Sequence, residues 1–160
     1  MDHSAPGEID TYRRYIFGSL DRLVGCLSDL DERGFNWRPP TENANSLIAL
    51  AVHTLANAEE NILGTLCGQP IARDRDAEFA ARGTSPRVVE ERWRDLHARL
   101  VAALAELPRS RLEEEIEHPR RGRITGREVL LVVARHCAEH LGQAELTRDL
   151  LEASGKGGRS

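Results

Sequence analysis

Residues 134–151 read ARHCAEHLGQAELTRDLL, and two histidines fall where a helix should turn its buried side. Positions four apart on a helix differ by only about 40° in azimuth, so His136 and His140 share one face. Val129, Val132 and Val133 precede them on or beside that face, and Thr147, Leu150 and Leu151 follow, with Gln143 close by. A core face wants aliphatic side chains, and a buried imidazole needs hydrogen-bond partners. The same spacing lets two imidazoles reach one ion. The helix that carries the pair starts at Thr125, with Glu128 three residues on. That is the spacing of a capping box, in which each side chain satisfies the other residue's backbone N–H. Its pattern continues to about Ala153.

A second helix repeats the oddity. It starts after Asn45 or Ser46, either of which caps free N–H groups, and runs to about Leu66, where Gly68 and Pro70 stop it. His53 sits among Ala49, Leu50 and Ala56, with Asn57 and Glu60 nearly in line along the helix. Polar rows of this kind build metal and cofactor sites between the facing helices of a bundle. Spacing alone leaves two readings open: core histidines satisfied by backbone partners, or a metal site of His53, His136 and His140.

Two further segments carry helical periodicity. The first spans roughly Glu8 to Leu30, with Ile9, Tyr12, Ile16, Leu20, Leu23, Leu27 and Leu30 at three- and four-residue steps. Gly34 and the run RPP at 38–40 end it in a loop. The other opens at Ser85-Pro86, a cap followed by proline in the first turn. Val89, Trp93, Leu96, Leu100 and Leu104 form its stripe, and Pro108 closes it. The run ARDRDAEFAARGT at 72–84 has no sustained period, and EEEIEHPRRGRI at 113–124 suits a short hairpin or extended piece. Four helices with short-to-medium connections predict an all-α four-helix bundle, a single domain over 1–153, with 154–160 as a disordered tail.

The 160 residues suffice for such a core. Hydrophobic residues at 40% and charged residues at 30% mark a globular chain. A net charge of −4 offers nucleic acid no broad basic surface, and Arg120, Arg121 and Arg123 read as solvated loop charge. MDHSAPGEID lacks the basic and apolar regions of a secretory leader. The apolar runs LIALAV and VLLVVA are too short to span a bilayer. Cys26, Cys67 and Cys137 form no metal-binding spacing, and an odd count argues against a disulfide framework. These features together predict a cytoplasmic protein. His3, His97 and His118 read as lying outside any site: in the terminus, off the buried stripe, and solvated in a charged loop. Cys137 reads as a packing residue, as do Trp37 and Trp93, and Glu139 as an edge carboxylate.

From roughly Tyr12 to Glu152 the chain resembles the DinB-like family of four-helix proteins. That family includes thiol-dependent transferases of the mycothiol and bacillithiol type and the maleylpyruvate isomerase type. NWRPPTENANSLIALAVHTLANAEE looks like the family's Trp-x-Pro loop, capped helix and first metal histidine. RDRDAEFAARG is similar to the linker of an actinobacterial-type branch, and ARHCAEHLGQAELTRDLL looks like the closing motif. The resemblance implies that His53, His136 and His140 bind one divalent metal, in the all-histidine version where some members place a glutamate at the position of His136. Nitrogen ligands suit zinc or nickel, with iron and manganese as alternatives.

Three neutral imidazoles leave such an ion its full charge and an open position for a thiol or water. The leading expectation is a metal-dependent enzyme that activates a low-molecular-weight thiol for S-transfer or isomerisation of an electrophilic substrate. Glu60 is the candidate to orient a ligand histidine or move a proton. Arg135, Arg148 and Gln143 are the candidates to contact the thiol or substrate. A metal-dependent hydrolase using activated water is one alternative, and a non-catalytic metal-binding dimeric module is another. A homodimer is expected, with no nucleic-acid or membrane partner.

Overall fold

The computed structural model describes residues 7–155. His3 and residues 156–160 of the expected tail lie outside that range. Four long helical stretches form the bundle. Helix α1 spans Glu8–Gly25 and buries Ile16, Leu20 and Leu23. It stops earlier than its periodicity suggests: residues 26–29 turn, and Asp29 adopts φ 60°. Leu27 and Leu30 are nevertheless buried, because the turn keeps them on the core side. A short helix α2, Glu32–Asn36, follows, with Asp31 Oδ1 accepting from Gly34 N at 2.8 Å. Gly34 therefore sits inside a helix rather than ending one.

Helix α3, Leu47–Ala58, is capped by Ser46, whose Oγ accepts from Ala49 N at 3.3 Å. Almost every one of its residues is buried, so it forms the centre of the molecule, as an all-round apolar helix must. It continues as a π-helical segment over Glu59–Leu66. That wider winding rotates the following side chains away from where an α-helical projection puts them. Helix α4 is short, Arg75–Phe79, capped by Asp74. Helix α5 spans Arg87–Glu106 and buries Val89, Trp93, Leu96, Leu100 and Leu104, the stripe read from the sequence. Trp93 Nε1 donates to Asp21 Oδ1 at 2.7 Å, and Phe17 meets the Trp93 ring edge-on at 5.7 Å. His97 packs against both rings.

A turn of 3-10 helix, Arg109–Leu112, leads to the antiparallel hairpin of β1, Glu115–His118, and β2, Gly122–Thr125, with Ile116 opposite Ile124. Helix α6, Gly126–Ala153, starts with the capping box of Thr125 and Glu128. A side chain at Gly126 would place its Cβ 2.1 Å from the Arg111 carbonyl oxygen, so only glycine lets the hairpin deliver the chain to α6 there. α6 packs along both α1 and α3, and α5 closes the other side of α1 and α3. The seam between α3 and α6 brings the two histidine-bearing faces together. Among the described residues no helix is long and apolar enough to cross a membrane.

Candidate metal centre

His53 projects from the middle of α3, and His136 and His140 from successive turns of α6. The His53 ring centroid lies 5.1 Å from that of His136 and 5.0 Å from that of His140, and the α6 pair are 4.3 Å apart. One nitrogen from each ring falls within 4.8 Å of the other two. The three side chains that the sequence places on two helix faces therefore meet at one point.

The tautomers follow from what holds each ring. His53 Nδ1 lies 2.8 Å from Glu78 Oε2. Glu78 is clamped by Arg73, whose Nε and Nη2 donate to Oε1 at 2.7 Å and Oε2 at 2.9 Å. A carboxylate paired with a guanidinium only accepts, so the hydrogen sits on His53 Nδ1 and leaves Nε2 its lone pair. Arg73 Nη2 also lies 3.3 Å from His53 Nδ1. Both atoms carry hydrogen, so that approach comes from sharing Glu78 and is not a bond. His140 Nδ1 donates to Gln143 Oε1 at 2.8 Å, which again leaves Nε2 free. His136 Nε2 is closed off from solvent without a hydrogen-bond partner among the described residues, as is Asn57 Oδ1 one turn along α3 from His53.

Burial pushes His136 down to about 3, helped by the neighbouring imidazoles and by Arg73 and Arg75. Burial also takes His53 down to about 4, against the opposing pull of Glu78. Both rings are therefore neutral at pH 7. Neutral rings with free nitrogen lone pairs and an unsatisfied buried Nε2 make a donor set suited to a borderline divalent cation. These residues fit a metal ion.

The segment 73–79, whose sequence resembles a linker, closes one side of this centre. Phe79 stacks on His53 with centroids 4.2 Å apart. Arg73, 4% exposed, joins Glu78 to Glu60 through its Nη1, 2.8 Å from Glu60 Oε2. Arg120, from the turn of the hairpin, binds the same Glu60 carboxylate. Burial works against the Glu60 charge, but Arg120 and Arg73 hold its carboxyl down at about 2. An acid held that low does not shuttle protons near neutral pH. Glu60 touches none of the three histidines: the orienting carboxylate is Glu78, and Glu60 supports it through Arg73.

Gln143 lies where its neighbourhood with the histidines suggested, but its oxygen is engaged by His140. Arg135 does not face the centre. It is 60% exposed and reaches Glu139 at 3.5 Å along the same helix. Arg148 caps the end of α1, donating from Nη1 to the carbonyls of Cys26 at 3.0 Å and Ser28 at 2.9 Å. Neither arginine is positioned to meet a ligand at the histidines. His118 is buried rather than solvated: its ring bonds Asn61 Oδ1 at 2.8 Å and accepts from Arg120 N at 3.1 Å. It pins the hairpin to the π-helical segment. Cys137 is fully buried, and desolvation pushes its thiol up to about 12.

Comparisons with known proteins agree with this arrangement of helices. The family model described as the DinB superfamily matches residues 18–144. The crystal structure of a conserved protein from Enterococcus faecalis superposes with a TM-score of 0.74 at 14% identity, covering 93% of this chain and 99% of that one. At that identity the likeness establishes the fold alone. No curated protein matches the chain significantly.

Proposed function

This chain belongs to the DinB superfamily, and from that premise and the histidine cluster we propose a metal-dependent enzyme that activates a low-molecular-weight thiol for S-transfer or isomerisation. His53, His136 and His140 would hold the ion, zinc or nickel first among the choices for nitrogen donors. A divalent cation at that point supplies positive charge that makes an incoming thiol easier to deprotonate at neutral pH.

The observation that carries the reading is the three-histidine cluster with the partnerless His136 Nε2. The protein's own residues do the positioning. Glu78 and Gln143 fix the rings of His53 and His140, and Phe79 covers one face of His53. A thiol from outside is favoured over a cysteine of this chain, because Cys137, beside His136 in the sequence, is buried and held protonated. A cavity of about 510 Å³ opens beside His140. It is large enough to seat a small organic molecule, and this favours a thiol with a body of its own over water as the activated group.

The test is conjugation of an electrophile by metal-loaded protein with and without added mycothiol or bacillithiol. Turnover that depends on both the metal and the thiol supports the reading. Turnover that needs no thiol replaces it with metal-assisted hydrolysis. Metal binding without turnover of thiols or esters replaces it with a non-catalytic metal-binding module.

A further inference from the structure

The cavity beside His140 has a composition that selects what enters it. Its walls come from the α6 residues that follow the histidines, from Leu50 and Phe79, and from the loop before α3. Leu146 and Leu150 project into it while 59% and 43% exposed, the kind of apolar surface that a ligand covers. Apart from His140 at its inner end, the polar groups on the wall are neutral amides and hydroxyls, among them Asn45, Gln143 and Thr147. No arginine or lysine lines it, and Glu42 is the one carboxylate on its rim among the described residues. Three arginines of the neighbouring segments are committed elsewhere. Arg148 is spent on the α1 carbonyls, Arg38 donates to the Phe79 carbonyl at 2.6 Å, and Arg135 pairs with Glu139.

We infer that this cavity seats the uncharged, apolar body of the molecule that meets the histidine centre, and that it rejects a carboxylate-bearing body. The inference rests on the reading of the histidines as the reactive centre. The physical ground is desolvation. A carboxylate brought against Leu146, Leu150 and Phe79, away from His140, loses water and gains no guanidinium or ammonium partner, and it faces the like charge of Glu42. An aromatic or aliphatic group in the same place loses only its own unfavourable hydration. Its neutral polar atoms find amide and hydroxyl partners on the wall. The electrophile or thiol handled here is therefore neutral in the part that lies along α6.

Benzyl alcohol and benzoate are a matched pair of probes. Their binding is measured by saturation-transfer NMR on the metal-free protein, where no cation attracts the carboxylate. Wild-type protein binds benzyl alcohol and holds benzoate at least roughly tenfold more weakly. Leu146→Lys, an exposed position whose exchange leaves the core intact, reverses that order, and Glu42→Gln narrows it. Circular dichroism of each variant confirms the fold. Equal affinity for the two probes, no binding of benzyl alcohol, or binding that neither variant alters overturns the inference. Zinc retention, measured on the same preparations after reloading with zinc, separates the two readings. Protein that retains zinc without the probe preference loses only the selectivity. Protein that shows the preference but holds no zinc keeps the selectivity and loses the metal-dependent function.

Discussion

Glu78 and His53 stand twenty-five residues apart in the chain, yet Glu78 Oε2 lies 2.8 Å from His53 Nδ1 with both side chains buried. That contact sets which nitrogen of His53 faces the centre, and Arg73 in turn keeps the carboxylate in place. Partners behind a metal-binding histidine commonly tune affinity by ten- to a hundredfold. We predict that Glu78→Gln weakens zinc binding by roughly tenfold or more, measured by competition with a chromophoric chelator. Unchanged affinity would show that packing against Phe79 alone orients the ring.

Arg73 holds two buried or half-buried carboxylates, Glu60 and Glu78. Removing one member of a buried ion pair leaves an uncompensated charge, at a cost of several kcal/mol. Arg73→Met should therefore destabilise the protein by about 3 kcal/mol or more. Chemical denaturation at pH 7 measures this. The double variant with Glu78→Gln should recover part of the loss, because one orphaned charge is gone.

The pH dependence of the metal-free protein has a definite sign. His53 and His136 titrate near 4 and 3 when folded, below the ordinary histidine value of about 6.5 that the unfolded chain shows. Between those limits the unfolded state binds more protons, so stability rises with pH through the window. The contribution is fully present above about pH 6.5. It declines as pH falls through the folded values. Denaturation midpoints at pH 7, 5.5 and 4.5 should fall in that order. The double replacement of His53 and His136 by Gln should flatten the trend, and an equally steep profile in that variant would place its origin elsewhere.

Gly126 joins the hairpin to α6 with its backbone against Arg111. Because the clash is with a carbonyl oxygen and not with a flexible side-chain tip, relief requires the hairpin or the helix start to move. Gly126→Ala should cost about 2 kcal/mol despite alanine's better helix propensity, read from the shift in denaturation midpoint. A neutral or stabilising result would mean that the hairpin shifts freely.

Some of this architecture could be read residue by residue, and the reasons for the misses are physical. The Thr125–Glu128 capping box and the Val89–Leu104 stripe are local patterns, and the structure contains both. The faces carrying His53, His136 and His140 follow from helix geometry, and the α3–α6 seam brings them together. Helix α4 is only five residues long, too short to display a period, so Arg73, Glu78 and Phe79 gave no signal of a shared role. The π-helical winding of Glu59–Leu66 has no residue signature. An α-helical projection therefore gave Glu60 a role at the histidines that Glu78 holds. The acceptors for Arg148 are carbonyls at the unwound end of α1, and the burial of His118 comes from the hairpin folding onto Asn61. Both depend on contacts between segments distant in the chain, which no local window contains.

In the proposed function three imidazoles jointly hold one divalent cation. Metal analysis of protein purified without a histidine tag, alongside His53→Ala and His136→Ala, is the decisive measurement. The wild type should carry a stoichiometric divalent ion and each variant should lose it, with the helical spectrum retained in all. Equal metal content in the wild type and both variants, or none in the wild type after incubation with zinc or nickel, would contradict it.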